Sequence, residues 1–260
     1  MKAGRWAHLI RGFIMAAFAL NALPAQAGAV VVPNANETVD GNNTLSGCGG
    51  CRWQQVYAAS QFAGLGAITI SQIAFRPDTD FVGVIAPITD HGVRFDLSTT
   101  AAAPNALNPV FAANVGADDT IVFSGDWTRS SANVAGPGNT KAFDIVLVLT
   151  TTFTYDPSLG NLLLDIRSPN QADTLFPPTF DTVDGSAVTS QRYGGTAFPT
   201  GIELEPGFGV VTQFTYASAL AAAPEPGSMA LFAVTAAAFL LARRAPRLRP
   251  ALRAICRDMT

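Results

Sequence analysis

The central region of this sequence predicts an all-β fold, an antiparallel β-sandwich of jelly-roll type, and three observations predict it. Apolar and polar residues alternate with period two in several segments. The longest sets Phe143, Ile145, Leu147, Leu149, Thr151, Phe153 and Tyr155 on one face, with Asp144, Val146, Val148, Thr150, Thr152 and Thr154 on the other. Gly, Pro, Asn and Asp punctuate the intervals, as in Arg76-Pro77-Asp78, Ala135-Gly136-Pro137-Gly138-Asn139 and Asp184-Gly185. No part of the body carries a helical stripe. Short strands without helices must bury their apolar faces on one another, and two stacked antiparallel sheets do this.

The elements follow in chain order. Residues 1–27 read as a signal peptide: Lys2, Arg5 and Arg11 form a positive leader, and Gly12 to Leu20 is an apolar core too short to span a bilayer. Ala25 and Ala27 supply the small residues a signal peptidase requires, so cleavage after Ala27 is expected to leave Gly28 first. The β-sandwich domain is expected over 28–217. Within it, Ala67 to Phe75 alternates with a slip of one position that places a bulge near Ser71-Gln72. Val93 to Leu97 and Ile121 to Phe123 read as strands, with a loop or short helical excursion at Ala101 to Pro109. Asp156-Pro157-Ser158 starts a turn, and Leu162 to Ile166 is expected to return as the strand paired with Thr151 to Tyr155. Val210 to Tyr216 reads as one last strand, and 218–223 as a small-residue linker.

Ala223-Pro224-Glu225-Pro226-Gly227-Ser228 then leads into an apolar run ending at Ala242, followed by Arg243-Arg244. Two prolines without amide donors keep the Glu225 peptide extended and accessible. Residues 227–242 are sixteen uncharged or apolar residues, short for a transmembrane helix, and Arg243 and Arg244 stop the far end on the cytoplasmic side. A basic tail, 245–260, carries four more arginines. An ordinary C-terminal anchor is the plainer account. In order, spacing and position, however, 224–244 resembles the PEP-CTERM sorting signal, which is also catalogued under a name alluding to ice-binding proteins. The resemblance implies recognition by exosortase, a membrane cysteine protease-transpeptidase of Gram-negative bacteria that make exopolysaccharide. Pro224, Glu225 and Pro226 are then the sorting motif, Arg243 and Arg244 the membrane stop, and the inner membrane a way station to the cell surface. Arg52 to Phe62 and Ile68 to Arg76 resemble the opening of many exported proteins with this tail. The body shows no flat, regular threonine array of the kind ice binding requires.

Between the two signals, Gly28 to Ala223 holds 196 residues, enough for one sizeable core. It carries seven cations against seventeen acids, so a net charge near −10 repels phosphate backbones and argues against a nucleic-acid partner. Cys48 and Cys51 are its two cysteines. In an oxidising compartment, Cys48-Gly49-Gly50-Cys51 reads as a local disulfide. A redox motif or half of a zinc site are the alternatives. The first lacks a βαβ context, and the second lacks ligands, since His91 is the one histidine of the body.

Catalytic motifs are absent from the sequence: there is no Gly-x-Ser-x-Gly, no His-Glu-x-x-His and no phosphate-binding glycine loop. His91 reads as a surface residue of an Asp-His-Gly turn. Phe123-Ser124-Gly125-Asp126-Trp127 sets an acid beside an aromatic that could stack on a sugar, although core packing of Trp127 is the plainer account. No metal site is assigned. Calcium is the one cofactor the acids suggest, at Asp78-Thr79-Asp80, Asp118-Asp119 or Glu203-Leu204-Glu205. The function expected is an exported, non-enzymatic surface or matrix protein associated with exopolysaccharide. A carbohydrate-binding, lectin-like module is the first alternative and a secreted hydrolase using surface carboxylates the second.

Overall fold

The computed structural model describes residues 27–46, 50–169 and 179–218, all of them within the unit Met1–Ala221. The linker after Ser218, the sorting motif, the segment 227–242, Arg243, Arg244, the basic tail, Ala25 and Cys48 lie outside the described residues.

The strands are β1 (Ala27–Val32), β2 (Asn43–Ser46), β3 (Cys51–Tyr57), β4 (Ile68–Phe75), β5 (Ile85–Thr100), β6 (Thr120–Ser131), β7 (Ile145–Tyr155), β8 (Asn161–Ser168), β9 (Thr179–Val183), β10 (Thr189–Gly195), β11 (Ile202–Glu203), β12 (Gly209–Val210) and β13 (Thr212–Ser218). Among the described residues the only helical elements are short 3₁₀ turns, so the fold is all-β. Every strand pairing is antiparallel. One sheet runs β1-β13-β4-β7, a second β11-β10-β3-β8-β5-β6, and a small third β12-β9-β2.

One hydrophobic core joins the sheets in a sandwich-like arrangement. Ile70, Ile73, Phe153 and Phe214 come from the first sheet, Tyr57, Phe95, Leu97 and Leu164 from the second, and Phe180 and Val210 from the third. Tyr57 meets Phe214 edge-on across the gap at 5.1 Å between ring centres, while its hydroxyl is 2.9 Å from Thr212 Oγ1. The apolar ring is thus buried without orphaning its polar tip. Burying each such side chain contributes roughly 1.5–3 kcal/mol.

Alternation sets the faces of β7 as expected except at Thr151, expected inward but exposed, because it falls where the pairing with β4 slips. Ile145, Leu147, Leu149, Phe153 and Tyr155 of β7 are buried, while Val148, Thr150, Thr152 and Thr154 are exposed. The slip at Ser71 is a register shift in the pairing of β4 with β7, between Ile70 and Gln72.

Three expectations are corrected. β8 does not pair with β7: its partners are β3 and β5, so the turn at 156–160 carries the chain from one sheet to the other. Asp156 Oδ1 accepts from the Ser158 amide at 2.9 Å and its hydroxyl at 2.7 Å, and this local turn chemistry is indifferent to the sheet that follows. Val210 to Tyr216 is not one strand, because Val211 donates its amide to the Asp181 carbonyl at 2.9 Å and the chain changes sheets there. Asp90-His91-Gly92 is not a turn but an irregularity inside β5, where the pairing with β6 shifts between Asp90 and Val93. Gly92, at φ +63°, takes the left-handed conformation that lets Asp90 point inward and His91 outward.

The segment 101–119 is a long excursion with a 3₁₀ turn at Phe111–Asn114, laid on the outer face of the six-stranded sheet. Leu107 packs there against Val56 and Leu163, which explains why Leu162, Leu163 and Leu164 are all buried.

Candidate functional site

A cavity of about 60 Å³ opens at one end of the sandwich, where β3 begins and β8 ends. Tyr193, Trp53, Ile166 and Phe95 are successive register partners across β10, β3, β8 and β5, so the cavity faces one continuous row of side chains. The opposing wall is Phe75, Phe180 and Val210. Trp127 closes one side, 5.4 Å from the Phe95 ring and 6.2 Å from that of Phe75, with its indole N–H donated to the Val146 carbonyl at 3.1 Å. Trp53 and Tyr193 are half-buried at the rim.

Besides Asp90, three polar side chains line this mostly apolar space. Gln191 is 1% exposed, and neither its Oε1 nor its Nε2 has a hydrogen-bond partner. Ser168 Oγ is likewise buried and unpartnered, as is Nη1 of Arg129. The rest of the Arg129 guanidinium is fixed: Nε and Nη2 donate to Asp90 at 2.5 and 3.2 Å, and both residues are buried. An unpaired buried polar group costs roughly 1–3 kcal/mol, so a whole orphaned carboxamide beside an open space points to a missing partner.

A second polar centre lies where the N-terminal loop crosses β9. Arg76, fully buried, donates Nε to Asp181 Oδ2 at 2.6 Å and Nη2 to the carbonyls of Asn36 and Val39 at 2.8 and 2.9 Å, with its plane over Phe143. Asp181 Oδ1 accepts the Gly41 amide at 2.8 Å. Glycine is required at 41, since a Cβ there would lie 1.9 Å from the Thr182 carbonyl oxygen. Asp40 and Asp78 join Asp181, with one oxygen of each within 4.8 Å of the others.

The fit to calcium is poor. Both Asp181 oxygens already accept hydrogen bonds, Asp78 Oδ1 accepts the Asp80 amide at 2.8 Å, and a buried guanidinium already sits within the cluster. Of the acids named for calcium, Asp78 alone enters a three-carboxylate group among the described residues. Asp118 Oδ1 accepts the Thr99 amide at 2.7 Å, and Glu203 lies 3.9 Å from Arg192.

Burial raises the Asp181 carboxyl from 3.8 to about 6, against the opposing pull of Arg76, and burial likewise raises Asp78. Folding therefore favours the protonated forms. That stabilisation is complete below the unfolded value near 3.8 and is lost as pH rises through about 6. Thermal unfolding is expected to show a higher midpoint near pH 5 than near pH 7.5. A midpoint that rises over the same interval contradicts this assignment.

The remaining candidates separate. His91 Nδ1 lies 2.9 Å from Asp126 Oδ2 on the exposed side of the β5–β6 pair, and this contact, with the Gly92 amide, lowers the Asp126 carboxyl. Trp127 points inward and Asp126 outward, so the two do not form a joint sugar platform. Ala27 is the first residue of β1 and is exposed. Cys51 is buried and disulfide-bonded. A bridge to Cys48 closes a very short loop, so Cys48→Ser is expected to lower the unfolding midpoint only slightly; a drastic fall contradicts a local disulfide. Sequence reasoning missed Gln191, Ser168, Arg129 and the Arg76–Asp181 pair. Gln191 had one faint mark, an amide at an inward position of a strand.

The site thus belongs to an all-β, sandwich-like protein with an aromatic cavity. No family model matches the chain, and no curated protein or solved structure matches it.

Proposed function

We propose that this chain is an exported, non-enzymatic surface or matrix protein, handed to exosortase through Pro224, Glu225 and Pro226 and then released or attached within exopolysaccharide. The observation that carries this reading is the tail itself: a proline-bounded acidic peptide, a short apolar run and an arginine stop, in that order. The limits of the body are compatible with removal of both signals. β1 starts at Ala27, β13 ends at Ser218, and Ala27 pairs with Ala217, so the two ends leave side by side from one end of one sheet. The core is completed between them.

We read the sandwich as a jelly roll. Setting aside β2, β9, β10, β11 and β12, the eight remaining strands fall in the order first-eighth-third-sixth in one sheet and second-seventh-fourth-fifth in the other. Two interlocked Greek keys produce that order. A carbohydrate-binding module is the second reading, favoured by the aromatic cavity with its orphaned Gln191. Cell fractionation tests the first reading. In a host lacking exosortase the protein is expected to stay in the inner membrane, and in a host that has the enzyme it is expected to leave. Equal distribution in both hosts contradicts the proposal.

A further inference from the structure

We propose that three arginines on the outer face of the six-stranded sheet bind the carboxylates of a uronate-bearing glycan. This rests on the exopolysaccharide association proposed above and names what that reading leaves open, the chemical class of the glycan.

The site follows from the register. Trp53, Ile166 and Phe95 point into the sandwich, so their chain neighbours Arg52, Arg167 and Arg94 point out of it. Arg52 of β3 lies opposite Arg167 of β8, which lies opposite Arg94 of β5, and the exposed Ser124 of β6 completes the row. Three of the body's seven cations thus stand side by side. Like charges directly opposite one another repel, so the row needs compensation within the protein or a partner outside it.

Compensation within the protein is incomplete. The next row on the same face is Gln54, Asp165 and Asp96, all buried. Arg52 grips Asp165 with Nε at 2.9 Å and with Nη2, and Gln54 Nε2 adds a donor at 2.9 Å. Arg94 Nε donates to both oxygens of Asp96 at 2.8 Å. Two arginines therefore satisfy two acids, and Arg167 is the cation left over. Its Nη2 lies 3.4 Å from Asp165 and 3.8 Å from Asp96, and its Nε has no partner.

The row presents guanidinium to solvent. The side chains of Asp96 and Asp165 are 1% and 3% exposed, those of Arg94 and Arg167 33% and 34%. Among the described residues, Nη1 of Arg52, Nη1 of Arg167 and both Nη atoms of Arg94 make no hydrogen bond, and none of them is buried. Planar N–H groups open to solvent suit bidentate pairing with a carboxylate. One surplus positive charge matches a singly charged group better than a phosphate dianion. The row spans roughly 10 Å across three strands, a disaccharide's length. Exposed Asp119 lies in the field of all three arginines and offsets the surplus without forming an ion pair with them, so it opposes an incoming carboxylate.

The test is a calorimetric titration of the purified full chain with oligogalacturonate, with its methyl ester, whose carboxylates are masked, and with polyglutamate. At physiological ionic strength the Debye length of about 8 Å screens the net negative charge of the body and leaves contact pairs intact. Oligogalacturonate is expected to bind saturably, and the ester and polyglutamate at least tenfold more weakly. Arg167→Gln is expected to weaken oligogalacturonate at least fivefold with an unchanged or raised unfolding midpoint, because Arg167 holds no buried acid by itself. Asp119→Asn is expected to tighten it at least twofold, a gain that misfolding does not produce. The proposal is overturned by silence toward oligogalacturonate, by equal affinity for the ester or for polyglutamate, or by parental affinity in Arg167→Gln. Cell fractionation reads sorting without reference to any glycan, so each of these results removes the uronate assignment and leaves the sorting reading to its own test.

Discussion

Arg76→Met is expected to lower the unfolding free energy by about 3–5 kcal/mol. The reason is less the lost attraction than what remains. Asp181 is fully buried, and without the guanidinium its Oδ2 loses a 2.6 Å donor while its charge has no partner. The carbonyls of Asn36 and Val39 lose the Arg76 donor in the same step, and these contacts anchor the loop between β1 and β2. Methionine keeps apolar contact with Phe143, so packing loss is held small. Urea unfolding of the single variant and of Arg76→Met/Asp181→Asn separates the terms. The double variant should recover a substantial part of the loss, because the stranded charge is gone. A single variant within 1 kcal/mol of the parent would contradict the hub role of this pair.

Glu225→Ala is expected to have the second large effect, on sorting and with the fold unchanged. Glu225 is the one charged residue between Phe208 and Arg243, set between two prolines. It is therefore the feature of that segment an enzyme can read electrostatically. Its loss is expected to leave the protein in the inner membrane of a host that has exosortase, while the β-rich circular dichroism of the body stays the same. Normal release of the variant would remove the sorting reading and leave a generic anchor.

Much of the fold was legible because it rests on local pattern. The period-two faces of β7 and the slip at Ser71 depend on which side of a strand each residue occupies, and alternation reports that directly. Sheet membership was not legible. Leu162 to Ile166 reads the same whether it returns beside β7 or crosses to β3 and β5, since its neighbours are set by residues far away in the chain, such as Trp53 and Phe95 on either side of Ile166. The cavity was hidden for the same reason. Gln191, Ser168 and Arg129 come from β10, β8 and β6, and nothing in their own neighbourhoods marks them as convergent. Arg76-Pro77-Asp78 read as turn punctuation, and only the arrival of Asp181 beside it turns the arginine into a buried hub.

Two cuts are expected to free one β-body, and mass spectrometry of the protein purified from its native host tests this most directly. The expected mature chain begins at Gly28 and ends within or close to Pro224-Glu225-Pro226, without the segment from Met229 to Thr260. A molecule that keeps Ala27 and the residues before it, or that carries Arg243, Arg244 and the basic tail at the cell surface, would contradict it.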